Sequence, residues 1–133
     1  MNIKTALETL RHFISGEQLL VIRHYCRGEE KEFFIAKAIE LAQLVSTMPK
    51  VYEQDGKGDG AIVSLHYFVG SADWWITERD ISDEQHQAFG LADLGYGAEL
   101  GYISIQEIIN CGAEIDLHFT PTTLGEVRAK AAA

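Results

Sequence analysis

The sequence predicts an α+β fold: three N-terminal helices packed on a mostly antiparallel sheet of four or five strands, with short helices at its edges. Three observations predict it. Apolar residues recur at helical spacing through roughly the first 48 positions. Beyond residue 62 the period drops to two. Gly- and Asp-rich turns punctuate the second half. The 133 residues fit one domain, with a helical part over 1–50 and a sheet part over 61–127.

Ile3, Ala6, Leu7, Leu10, Phe13 and Ile14 form one apolar helical face. Ser15 and Gln18 read as a capping box opening a second helix, with Leu19, Ile22 and Cys26 in line, Tyr25 beside them and Gly28 as the stop. Glu29, Glu30 and Glu32 suit the N-terminus of a third helix, whose inner face is Phe34, Ile35, Ala38, Leu41, Ala42 and Val45. Pro49 ends that pattern at Met48.

Residues 53–61, "EQDGKGDGA", read as a mobile turn or linker. An EF-hand register counted from Asp55 puts Lys57 at the third position and His66 at the twelfth, so calcium is not expected, and no Gly-Lys-Ser/Thr follows for a phosphate. Val63, Leu65, Tyr67 and Val69 then alternate with Ser64, His66 and Phe68. Gly70-Ser71 fits a two-residue type II′ turn into a strand over Ala72–Glu78. A polar turn, "RDISDEQHQ", leads to a third strand over 88–94 and a further one over 99–103. Ser104 with Glu107 caps a short helix to about Asn110, with Gly112 beyond its end. "EIDLHF", 114–119, is the cleanest alternation in the chain, with Ile115, Leu117 and Phe119 on one face and Glu114, Asp116 and His118 on the other. Pro121 ends it, Thr123 with Glu126 caps a last helix, and the terminal "AKAAA" reads as a fraying end.

Gly95, Gly97 and Gly101 raise the question of a phosphate cradle. Their spacing is not Gly-x-Gly-x-x-Gly, and the next helix starts only at Ser104, with Leu100 to Ile103 reading as strand, so Gly95 and Gly97 are expected to supply the positive φ of a hairpin loop rather than hold a nucleotide. No cofactor and no metal site is expected.

Composition narrows the partners. Apolar residues are 47% of the chain and net charge is −9. Residues 1–50 carry seven Lys/Arg against six Asp/Glu, while residues 51–133 carry four against fourteen. An acidic second half disfavours nucleic acid and anionic membrane, and favours a protein partner with a basic surface. No run of about 18 apolar residues occurs, and "MNIKTALETLRHF" lacks signal-peptide features, so a cytoplasmic protein is expected. Cys26 and Cys111 read as two buried, reduced thiols.

The segments "WWITERD", "FGLADLGYGAELGYISIQEI" and "EIDLHFTPTTLGEV" together resemble an uncharacterised bacterial family, the domain of unknown function family 2958, over residues 61–127. The shared pattern is Trp-x-x-Thr-Glu, Phe-Gly-Leu-x-Asp-Leu-Gly, Glu-Leu-Gly-Tyr-x-Ser and Asp-Leu-x-Phe-x-Pro. The family's common Arg before Asp-Leu is Ile115 here, and residues 1–50 lie outside the usual pattern. The resemblance implies an accessory role on plasmids and other mobile elements. It implies no activity and no catalytic residue.

Three functions follow as expectations. The leading one is a protein-interaction module, its contact surface drawn from Trp74, Trp75, Tyr96, Glu99, Asp116 and His118 on an acidic, aromatic sheet face. Trp74 and Trp75 point to opposite faces, so one is expected in the core and the other in a patch near Tyr96 or Tyr102. The second is an acidic, DNA-mimicking antagonist of host defence. The third is a metal-dependent or acid–base enzyme using Asp93, Asp116 and His118, with Glu78 and Glu99 near by. No Ser or Cys carries a nucleophile signature. A homodimer is open as well.

Overall fold

The computed structural model describes residues 1–131. The N-terminal helices are α1 (Ile3–Leu10), α2 (Gly16–Tyr25) and α3 (Lys31–Thr47). Asn2 caps α1 by accepting from the Thr5 N–H at 2.9 Å, and Ser15 caps α2 by accepting from the Gln18 N–H at 3.2 Å. Met48, just before Pro49, is extended, so α3 stops where proline sterics require.

The strands are β1 (Ile62–Val63), β2 (Leu65–Val69), β3 (Ala72–Glu78), β4 (Ala88–Asp93), β5 (Ala98–Ile103), β6 (Glu114–Ile115) and β7 (Thr122–Thr123). Helices α4 (Ile105–Asn110) and α5 (Leu124–Ala131) complete the order. Five strands form one antiparallel sheet, β5-β4-β3-β2-β6, and β1 pairs with β7 in a small second one. Val69 opposes Ala72 across Gly70-Ser71. Gly70 has φ +55° and Ser71 is not left-handed, as a type II′ turn requires.

The helices cover one sheet face. Leu65, Tyr67, Ile76, Ala88, Ile103 and Ile115 bury against Leu10, Phe13, Ile14, Ala42 and Val45. The opposite face is covered in part by α5 and β1, through Val63, Leu91, Leu124 and Val127 with Trp75 and Phe119 against them. The Tyr67 hydroxyl, fully buried, donates to the Phe13 carbonyl at 2.5 Å and ties sheet to helices. Arg79 bolts the same junction: it donates to the carbonyls of Val45, Asp80 and Ser82 and lies 5.2 Å over the Phe13 ring.

Several sequence expectations need correction. The stretch 114–119 is not a strand throughout: only Glu114–Ile115 pairs, with β2. Its physical cause is Asp116, whose carboxylate accepts the His118 N–H at 2.9 Å and folds the chain into a turn. Residues 53–61 are no loose linker. The buried Gln54 amide accepts from the Ile62 N–H at 2.7 Å and donates to the carbonyls of Ile62 and Thr77 at 3.0 and 2.8 Å. The thiols are not both buried: Cys26 is half-buried and Cys111, closing α4, is exposed. Of "AKAAA", residues 129–131 continue α5, and the last two lie outside the described residues.

Candidate functional site

Gly95 and Gly97 answer the phosphate question. Both are left-handed (φ +101° and +106°) with nothing within 4 Å of an added Cβ, so they turn the β4–β5 hairpin. Asp93 starts the turn by accepting the Gly95 N–H at 2.9 Å. The glycine under the greatest steric demand is Gly90, where a Cβ would stand 2.0 Å from the Trp75 carbonyl oxygen. It lies at the β3–β4 register shift between Ile76 and Glu78.

Two arrangements on the face away from the helices carry polar chemistry. In the first, the half-buried His66 ring is held at both nitrogens. Nε2 lies 2.8 Å from an Asp73 carboxylate oxygen, and Nδ1 lies 3.0 Å from Asp116. The ring stacks on Trp75 at 5.3 Å with the planes 12° apart. Both contacts are donated at once only by a doubly protonated ring, and neither nitrogen is left free to serve a substrate. Asp116 also donates its N–H to the His66 carbonyl at 2.8 Å. The cluster therefore pins the turn after β6 onto the β2–β3 hairpin.

Sequence reasoning placed a histidine beside Asp116 but chose His118. The turn at Asp116 exposes His118, and His66 takes its place. Hairpin arithmetic holds the signal that finds Asp73: with Val69 opposite Ala72, His66 opposes Trp75 and Asp73 is its diagonal neighbour on the same face. Asp93 is the cross-strand partner of Asp73 but is spent on Gly95. Asp93, Asp116 and His118 thus do not converge. Among the described residues, no three His, Cys, Asp or Glu side chains are grouped to hold a metal ion.

The second arrangement is the sheet edge. Among the described residues, β5 pairs with β4 alone. Tyr96 is 98% exposed in the hairpin loop, Tyr102 is 60% and Leu100 44% exposed along the strand, and Glu99 is exposed between them. Register puts Leu100 and Tyr102 on one face with Leu91 and Phe89. Tyr102 meets Phe89 edge-on at 5.5 Å, and its hydroxyl meets that of Tyr52 at 2.8 Å. The Tyr52 hydroxyl contact, with the Asp55 and Glu78 carboxylates adding to it, pushes the Tyr102 phenol above its ordinary value.

The opposite edge of the sheet is closed. At β6 the Gln18 side chain takes both backbone groups of Ile115, accepting from its N–H and donating to its carbonyl, each at 2.9 Å. The expected exposed tryptophan is not part of the β5 edge: Trp74 packs on the helical side, and Trp75 is half-buried between His66 and the α5 cluster. Of the expected contact residues, Tyr96 and Glu99 lie at the edge. Asp116 and His118 lie across the sheet from it.

No helix among the described residues is long and apolar enough to cross a membrane. A family model described as a protein of unknown function (DUF2958) matches residues 35–132. The match begins inside α3, so the family pattern takes in most of that helix and residues 48–60, beyond the 61–127 that the shared motifs span. No curated protein and no solved structure gives a significant match.

Proposed function

The chain belongs to the DUF2958 family, and from that premise we propose that it is a cytosolic protein-interaction module which takes up an extended, basic segment of a partner protein along β5. The observation that carries this reading is the open edge itself. Among the described residues, the six of β5 have a hydrogen-bonded neighbour strand on one side only, while the other edge is stoppered by Gln18. An unpaired edge offers a row of N–H and C=O groups to an added strand, and side chains on alternate positions supply selectivity. Tyr96, Leu100 and Tyr102 give apolar contact area. The charge balance of residues 51–133, four basic against fourteen acidic, selects a basic segment. The accessory role on mobile DNA that the family resemblance implies accords with a binding protein.

The test is an alternating valine–lysine peptide added to isotope-labelled protein. Amide shifts are expected to centre on residues 98–103 and to vanish in the Glu99→Lys/Leu100→Lys variant. Equal binding of a valine–glutamate peptide, or shifts centred on the helices, would overturn the reading. A concentration-dependent dimer abolished by the same two lysines would assign the edge to a second copy instead.

A further inference from the structure

Behind the β5 edge lies a cleft of about 240 Å³, between the sheet and the turn that carries residues 54–59. Its apolar wall is Phe89, Leu100 and Leu124, and its polar wall includes Asp55 and Glu78. Glu78 is only 5% exposed, yet no Lys, Arg or His approaches its carboxylate within 4 Å among the described residues. One oxygen accepts the Tyr52 N–H at 3.2 Å and the other the Thr77 hydroxyl at 2.6 Å. A carboxylate accepts about four hydrogen bonds, so Glu78 has capacity left, and a buried charge ordinarily has a countercharge. Arg128, which also lines the cleft, is engaged by Asp59 at 3.5 Å.

We propose that this cleft is a specificity pocket for one lysine or arginine side chain of the segment bound at β5, its alkyl stem against Leu100 and Phe89 and its cationic head at Glu78 and Asp55. Size supports a side chain over a metabolite, since small-molecule clefts run from roughly 300 to 1,000 Å³. Placement supports it too. Leu100 belongs both to the edge strand and to the cleft wall, and a strand added at β5 carries every second side chain on that face. Tyr52 and Tyr102 lie near by: the Tyr52 N–H is on the Glu78 carboxylate, and the two hydroxyls are joined at 2.8 Å. The lysine or arginine supplies the positive charge that Glu78 lacks.

This inference rests on the strand-addition reading but is tested apart from it, with n-butylammonium and ethylguanidinium chloride as probes. Sodium chloride at equal ionic strength and neutral 1-butanol are the controls. In the wild-type protein the two cations are expected to shift the Glu78 carboxyl carbon and the Leu100 methyls, with the other carboxylates unmoved. Affinity is expected to fall roughly tenfold in Glu78→Gln and several-fold in Asp55→Asn. Asp55 is exposed, so its variant keeps the fold and decides the matter if Glu78→Gln does not fold. Shifts spread evenly over all carboxylates, or affinity unchanged in the folded variants, would sink the pocket. Peptide binding at β5 with no cation effect at Glu78 would refute the pocket and leave strand addition standing. Cation binding at Glu78 without peptide binding at β5 would do the reverse.

Discussion

Gln18 of α2 and Ile115 of β6 are joined by two hydrogen bonds of 2.9 Å, one from each end of the glutamine amide to the backbone of the strand. A side chain 97 positions away in sequence thereby imitates the next strand of the sheet. Gln18→Ala should leave both Ile115 backbone groups without this partner and cost about 1–3 kcal/mol. Denaturant unfolding reads the loss, and faster hydrogen exchange at the Ile115 amide locates it. An unchanged exchange rate there would show that the amide does not hold the edge.

Gly90 is the position at which a single methyl does most harm. With the Trp75 carbonyl oxygen 2.0 Å from the added Cβ, Gly90→Ala must push β3 from β4. Roughly 3 kcal/mol or more of stability should go with it. Gly101→Ala, with nothing within 4 Å and an ordinary φ, should stay within about 0.5 kcal/mol of wild type. Thermal unfolding of the pair makes the comparison, and equal melting temperatures would contradict the steric account.

The His66 cluster should behave as a structural bolt. His66→Ala removes both carboxylate contacts and the stack on Trp75, and should cost about 1–3 kcal/mol. His118→Ala, exposed and outside the cluster, should change stability by less than about 0.5 kcal/mol. Tryptophan emission is the second readout: it should move towards the red in His66→Ala as Trp75 gains water, and stay put in His118→Ala.

Tyr67→Phe isolates one buried hydrogen bond. Burial pushes the Tyr67 phenol far above its ordinary value, so the hydroxyl stays protonated and serves as donor to the Phe13 carbonyl. Its deletion leaves that carbonyl short of a partner, with an expected loss of about 1–3 kcal/mol by denaturant unfolding. No loss would mean the carbonyl finds water.

Asp80 sets an acid limb on stability. Partial burial raises its carboxyl, but the backbone N–H groups of Gln87, Ser82 and His86, with the Ser82 hydroxyl, outweigh burial and hold it below the ordinary carboxylate value. A depressed value in the folded state means the unfolded chain binds the proton more readily. The stabilisation is therefore complete above the unfolded-state value of about pH 3.9, and is lost as pH falls through the lower folded-state value. Asp80→Asn should cost about 1–3 kcal/mol at neutral pH and flatten the decline below pH ~4. Unfolding midpoints measured from pH 2 to 7 test the sign.

Much of the fold was legible in the residues because its signals are local. Ser15, Ser104 and Thr123 cap helices by bonds three residues long, Pro49 stops α3, and Gly70-Ser71 turns the hairpin with one left-handed glycine. Where local signals compete, the pattern misled. Alternation over 114–119 satisfies a strand, but the Asp116 carboxylate reaches the His118 N–H two residues on, and the turn wins because β6 has a partner for only two residues.

By itself the sequence determined the α+β order, the starts of β3, β4 and β6, the role of Gly95 and Gly97 and the acidity of the second half, since each follows from spacing or charge. Tertiary structure decided which histidine meets Asp116, which edge of the sheet is stoppered and where Glu78 lies buried. Those choices rest on contacts between residues 26 to 97 positions apart, whose partners are equals in composition until the folded chain brings one of them within hydrogen-bonding reach.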